Sequence, residues 1–428
     1  MVRIVKWVAA AAALGALVLI GVAMALQQWL RTDGFRARVE AQASAALGVP
    51  LKLGRLSVDL WPLPAVAAED VRLLTRPPLT VGRIEARPSW LPLVGGRLEI
   101  ATLIVRKAAL PETAIAFVGA AMQKKDKPSA RGSPKQPEKT ESGSTSLIPR
   151  RAVLDQVTWI DAKGTRMTVN AEVGLDDDGL LDEASFEIVQ GRFVGTKGAI
   201  ERKGSQWPIR VDIGGGHITG NVQLQGGKTP GVQLLVGQLS TEKVEISALT
   251  APGKPLTGKL QALTTLRAEF RDAGQLADVL KTETRFTVRN AVLQNIDLQK
   301  AVQTVGLSRG GTTQLDVLAG TVNTQGKTVH LTNLVATSGM LSANGSVSIA
   351  ANKALSGRVV VDLSGGTGAM GVPLVVGGTT DDPSVTLTRG AMVGAALGTL
   401  IVPGAGTAAG ASAGDRIGDS LKGLFGGK

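Results

Sequence analysis

The chain has 428 residues, of which 43% are hydrophobic, with a net charge of +12 and neither cysteine nor tyrosine. Its length and apolar content exclude wholesale disorder and allow two or three domains or one elongated structure. The lack of cysteine excludes disulfides, thiolate metal sites, thiol catalysis and a lipid-modified cysteine, and 3% aromatics are too few for the girdles of a transmembrane β-barrel.

Trp7 to Leu30 is an uncharged run of 24 residues. As a helix it would be about 36 Å long at ~1.5 Å per residue, enough to cross a hydrocarbon core of about 30 Å. Trp7 and Trp29 would sit at the two headgroup layers. Arg3 and Lys6 precede the run and keep the N-terminus cytoplasmic, while Arg31, Arg36 and Arg38 oppose that orientation. A cleaved signal peptide is the rival, because Ala23-Met24-Ala25 resembles a processing site. The run is longer than a usual signal core, so a retained single-pass anchor is expected, with the bulk of the chain exported.

A helix is predicted over Gly34 to Leu47, stopped by Gly48 and Pro50. Strands follow at Leu51 to Trp61, Ala65 to Leu74, Leu79 to Trp90 and Arg97 to Lys107, separated by proline or glycine. A second helix is predicted near Pro111 to Met122, with proline in its first turn. The segment Lys124 to Pro149 is rich in Pro, Ser, Gly and charge and reads as a disordered basic linker.

From Arg151 to about Leu387 short strands alternate with glycines. Apolar residues recur at every second position, as at Val211 and Ile213, Val222 and Leu224, Val347 and Ile349, Val359 and Val361, and Val385 and Leu387. This is the pattern of a mostly antiparallel sheet with one dry face. Helical interruptions are predicted around Asp272 to Lys281 and Leu298 to Val305. The dry face needs cover. Packed sandwich domains would supply it, as would a sheet curled into a trough lined by smooth aliphatics, where acyl chains gain about 0.8 kcal/mol per CH₂. Val222, Leu224, Val347, Ile349, Val359 and Val361 are the candidate groove residues, chosen by alternation.

Between Arg389 and Asp415 there is no charge, and glycines fall at 390, 394 and 398, then at 406, 410 and 414. Small residues at i, i+4 spacing let backbones approach closely, and Pro403-Gly404 supplies a turn. A short Gly-rich helical hairpin is expected. The organisation is therefore an anchor at 1–33, a helix and strands at 34–123, a linker at 124–150, a repetitive β domain at 151–388 and a hairpin or tail at 389–428.

Patterns that would carry chemistry are nearly absent. Gly410-Ala411-Ser412-Ala413-Gly414 fits a nucleophile elbow, but no histidine follows it. Gly404 to Ala409 fits a dinucleotide fingerprint without the next strand and its acid. Asp176-Asp177-Asp178-Gly179 lacks the alternate spacing of a calcium loop and reads as a solvated turn. No metal motif pairs His217 with His330. Neither a cofactor nor a metal is expected, and the chain reads as non-catalytic. Basic residues exceed acidic ones by 6 over 1–123, by 5 over 124–151 and by 1 thereafter. This suits an anionic membrane surface better than nucleic acid.

Three stretches resemble the AsmA family. The anchor followed by Gly48 to Leu60, Pro62 and Glu69-Asp70-Val71-Arg72-Leu73 is similar to its opening. Phe286 to Leu298 is similar to its strand, turn and "G-I-D-L" helix start, with Asn290 and Asn295 where glycines are usual; both tolerate left-handed backbone. Gly377-Gly378-Thr379-Thr380-Asp381-Asp382-Pro383-Ser384-Val385 resembles its "G-T-x-D-D-P" closing strand. The resemblance implies an inner-membrane protein with a periplasmic β-groove, linked to phospholipid transport and outer-membrane homeostasis. The fold expected is mainly β: one transmembrane helix, an elongated curled antiparallel sheet and few short helices. Roughly fifteen strands at ~4.8 Å would make a groove about 70 Å long. Membrane phospholipids are the expected partners, with envelope proteins as further candidates. The alternative function is a scaffold for outer-membrane protein assembly, with closed sandwich cores and recognition at sheet edges.

Overall fold

The computed structural model describes residues 32–392, except 60–64, 90–98, 126–148, 177–178, 228, 251–252, 272–275, 304–309, 340 and 364–370. The expected anchor helix, most of the linker and most of the C-terminal hairpin lie outside the described residues. Among the described residues, no helix is long and apolar enough to cross a membrane. Residues 389–392 form a single helical turn. The protein is mainly β, with a few short helices, and divides into two compact units, Met1–Ala199 and Ile200–Lys428.

In the first unit, α1 (Asp33–Leu47) ends where Gly48 adopts a left-handed conformation with φ of 68°. Its side chains hold the strand that follows: Ser44 Oγ accepts from Leu51 N and Glu40 Oε1 from Leu53 N, each at 2.8 Å. Strands β1 (Leu51–Lys52), β2 (Arg55–Asp59), β3 (Ala65–Leu73), β4 (Leu79–Pro88) and β5 (Ile100–Pro111) pair antiparallel, β1 and β2 both on β3. Then α2 (Glu112–Lys125) and the linker segment lead to β6 (Arg151–Ile160), which runs parallel to β5. The sheet, expected to be mostly antiparallel, is thus mixed, with this parallel pair in it. A parallel pair needs a long crossover, usually a helix, and the helix read from the sequence is part of that crossover. Strands β7 (Arg166–Leu175) and β8 (Leu181–Gly191) continue antiparallel.

Val71, Leu73, Val81, Ala108 and Val157 form the core of this unit. Beside it, the Glu85 side chain is only 6% exposed and meets Arg87 at 2.7 Å, Arg83 at 3.4 Å and Arg106 at 3.5 Å. Three guanidinium groups around it offset the cost of burying this carboxylate.

The chain passes between units within β9 (Lys197–Glu201). The second unit is an antiparallel meander: β10 (Gln206–Ile213), β11 (Gly216–Gly226), β12 (Gln233–Glu245), β13 (Leu256–Phe270), β14 (Lys281–Gln294), β15 (Thr312–Gln325), β16 (Thr328–Ser338), β17 (Leu341–Ile349), β18 (Leu355–Leu363), β19 (Val372–Gly378) and β20 (Pro383–Leu387). Among the described residues, three short helices interrupt it, α3 (Ile246–Thr250), α4 (Leu276–Val279) and α5 (Leu298–Gln303). The sequence reading found the last two and missed α3. Gly214 and Gly215, with φ of 58° and 74°, make the two-residue turn between β10 and β11. Positive φ at both central positions is what such a tight hairpin requires.

Three alternate strands of this meander, β12, β14 and β16, carry a bulge. Lys243 in β12, Asn290 in β14 and Asn333 in β16 have φ of 54°, 50° and 53°, and register shifts occur at each. Two residues there oppose one on the neighbouring strand, which bends the strand and increases its twist. Opposite Asn290 lies Gly258, where a Cβ would stand 2.8 Å from the Arg289 carbonyl oxygen. The left-handed conformations expected at Asn290 and Asn295 are present, the latter with φ of 64°. Replacing Asn290 by valine should lower the stability of the second unit by about 1–2 kcal/mol, the cost of a left-handed residue without a local side-chain hydrogen bond, with glycine close to neutral. Urea unfolding of the two variants measures the difference.

A candidate acyl-chain trough

The curvature of the second unit makes an apolar cavity of about 440 Å³ on one face of the sheet. Its floor comes from alternate residues of eight consecutive strands, including Leu260, Phe286, Leu318, Val322, Leu331, Ala336, Ala343, Val347, Val359, Val376 and Val385. Ile246 and Thr250 of α3 and Leu298 of α5 line it from the helices, and Pro255, Leu256, Leu293 and Ile296 from the adjoining strand ends and loops. Helix α5 packs against both β15 and β18, three strands apart, and so lies across one part of the face. Its own Leu298 and Ala301 are buried.

Several hydroxyls on this face are paired within it. Thr284, which lines the cavity, shares a hydrogen bond of 2.9 Å with Thr264, and Thr282 shares one of 2.6 Å with Thr324. A hydroxyl paired in this way presents its methyl and carbon surface to a ligand and carries little desolvation cost. Among the described residues, no side chain lining the cavity carries a formal charge.

All six residues chosen by alternation project from this face. Cross-strand partners connect Val222 through Gly237, Leu266, Thr282, Thr324 and Val329 to Ile349, and directly opposed residues share a face. Leu224 is two residues from Val222 on the same strand. Val347, Ile349 and Val359 line the cavity. The other three lie outside its lining. Val222 is 8% exposed and packs over Gly237, where a Cβ would stand 3.0 Å from its Cγ2. Leu224 is half-buried near the end of β11. Val361, opposed by Ala343 and Val372, has no exposed surface at all and belongs to the packed region that α5 helps to cover.

Sequence reasoning missed Leu331 and Leu334, Phe286, and the contributions of α3 and the loops. Leu331 and Leu334 are three apart, a spacing that strict alternation rejects; the bulge at Asn333 turns both into the cavity. The asparagines and glycines at the bulges were the available signal.

The opposite face carries a polar cleft of about 780 Å³, lined by Asn221, Gln223, Gln238, Thr265, Arg267, Lys281, Glu283, Asn323, Gln325 and His330, among others. Glu283 is the one carboxylate among its lining residues, so the paired acids of a glycosidase are not assembled there. His330 Nδ1 lies 2.9 Å from Ser348 Oγ, and His217 Nε2 lies 3.6 Å from Glu242. Among the described residues, no three His, Cys, Asp or Glu side chains cluster as metal ligands. Asp176 Oδ1 accepts from Leu180 N at 2.8 Å, closing a turn at Gly179. Ser412 and the Gly404 to Ala409 stretch lie outside the described residues.

No family model, curated protein or solved structure matches this chain.

Proposed function

We propose that the protein is an inner-membrane-anchored periplasmic protein, its N-terminus cytoplasmic, that holds lipid acyl chains in the trough of its second unit and contributes to phospholipid transport and outer-membrane homeostasis. The observation that carries this reading is the open apolar cavity, which lies within the range of about 300–1,000 Å³ usual for small-ligand sites. At about 30 Å³ per heavy atom, the share of a water molecule in its liquid, it has room for roughly fifteen chain atoms. Ten buried methylenes would contribute about 8 kcal/mol before the costs of association. The anchor run and the AsmA-like stretches support the cellular setting. Under the scaffold alternative these apolar rows would be packed shut, and an open trough favours the lipid reading over it.

The direct test is titration of the protein with a fluorescent polyene fatty acid. Saturable binding of about one probe per chain, displaced by palmitate, is expected. Fluorescence that rises without saturation, or that palmitate leaves unchanged, contradicts the proposal.

A further inference from the structure

The geometry points to a zwitterionic headgroup site at the rim of the trough, of the phosphoethanolamine type, an inference that rests on the acyl-chain reading above. Three connecting segments meet at this rim: the α3–β13 loop, the β17–β18 turn and the β19–β20 turn. Thr380 N donates to the Lys353 carbonyl oxygen at 3.1 Å, and Lys353 Nζ stands 3.4 Å from Asp381 Oδ2. A Cβ on Gly253 would lie 4.0 Å from Asp381 Oδ1. Lys254 comes next in the chain, between Gly253 and Pro255, which itself lines the trough. Thr380 and Pro383, on either side of Asp381 and Asp382, line it too.

The rim therefore places two lysines and two aspartates, all exposed, beside the dry lining. Both turns are tight. Lys353 N donates to Ala350 O at 2.8 Å, while Thr379 N donates to Asp382 O at 3.0 Å and Asp382 N to Thr379 Oγ1 at 3.1 Å, so the charged side chains stand on fixed backbone.

These four groups sum to zero charge, and that selects the ligand. An anionic head would gain Lys353 and Lys254 but would bring no cation to Asp381 and Asp382. A zwitterion meets both signs. Its phosphate replaces Asp381 as the partner of Lys353, and its ammonium takes up the carboxylate so released. Apolar burial of the chain and paired charges at the head then act on one amphiphilic molecule.

The test uses the full chain and vesicles containing equal amounts of phosphatidylethanolamine and phosphatidylglycerol with identical acyl chains. The protein is re-isolated and its bound lipid is counted by mass spectrometry, with palmitate uptake measured in parallel. Phosphatidylethanolamine should be enriched about fivefold, the factor that exposed ion pairs supply. The double variant Lys353→Asn with Asp381→Asn should bind palmitate as before and show no enrichment. Equal uptake of both lipids by the unsubstituted protein, with palmitate still bound, overturns the headgroup site and leaves the trough standing. Failure to take up palmitate and both lipids overturns the trough and the site together. Glycerophosphoethanolamine, which has the head without chains, should not abolish the enrichment at equimolar concentration; if it does, the rim binds a soluble zwitterion and the lipid assignment falls.

Discussion

Val361→Asp should unfold the second unit. Val361 is fully buried, opposed by Ala343 and Val372, on a strand that α5 covers. A carboxyl group there would either ionise without solvent or be held neutral, and complete burial raises a carboxyl pKa by up to about 3–5 units, at 1.36 kcal/mol each. The apolar burial of the valine is lost as well, worth roughly 1.5–3 kcal/mol. Together these reach the whole stability of an ordinary domain, about 5–15 kcal/mol. Circular dichroism should show loss of strand signal from this unit, whereas Val361→Ala, which leaves only a small cavity, should fold with a urea midpoint lowered by about 2 kcal/mol equivalent. A Val361→Asp protein with the parent's midpoint would contradict the placement of this residue in packed core.

Val347→Asp should separate binding from folding. Val347 is half-buried, and its side chain lines the open trough, so an aspartate there keeps part of its hydration in the empty protein. The cost to stability should be about 1–2 kcal/mol. A chain entering the trough would have to strip that hydration without offering the carboxylate a partner, which costs at least a few kcal/mol. Affinity for a fatty-acid probe should fall by about a hundredfold or more. Val375 gives the control. It is exposed, and it neighbours the trough residue Val376 on β19, so it points to the other face. Val375→Asp should change stability by less than about 0.5 kcal/mol and leave probe binding intact. Equal loss of binding in both variants would show that the probe does not occupy the trough.

The difference between Val359 and Val361 marks how far the sequence could be read. Alternation found both and assigned them to one face, because strand periodicity is written in the residues themselves. That one lines a cavity and the other is sealed depends on where α5 packs, a tertiary contact between a helix after β14 and the strand β18. Periodicity does not encode it. The same limit explains Leu331 and Leu334, whose faces are reset by a left-handed residue at Asn333. It also explains the β5–β6 pair, since antiparallel and parallel partners have the same alternation and differ only in the connection between them. The first helix was legible almost to the residue because Gly48 and Pro50 are local stop signals.

The cavity also bears on the expectation of a long conduit. Its lining belongs to strands β13 to β20, with α3 and α5 bordering it, whereas Val222 and Leu224 on β11 lie on the same face outside it. The proposed acyl-chain site is accordingly local to the last eight strands of the second unit.

The most direct test of the central claim is mass spectrometry of material extracted from the freshly purified full chain. Phospholipid or fatty acid in about equimolar amount, and much less of it from Val347→Asp protein of unchanged circular dichroism, is the result expected of an acyl-chain trough. Folded protein that carries no lipid and takes up none from added vesicles would contradict it and would favour a scaffold that binds proteins through its sheet edges.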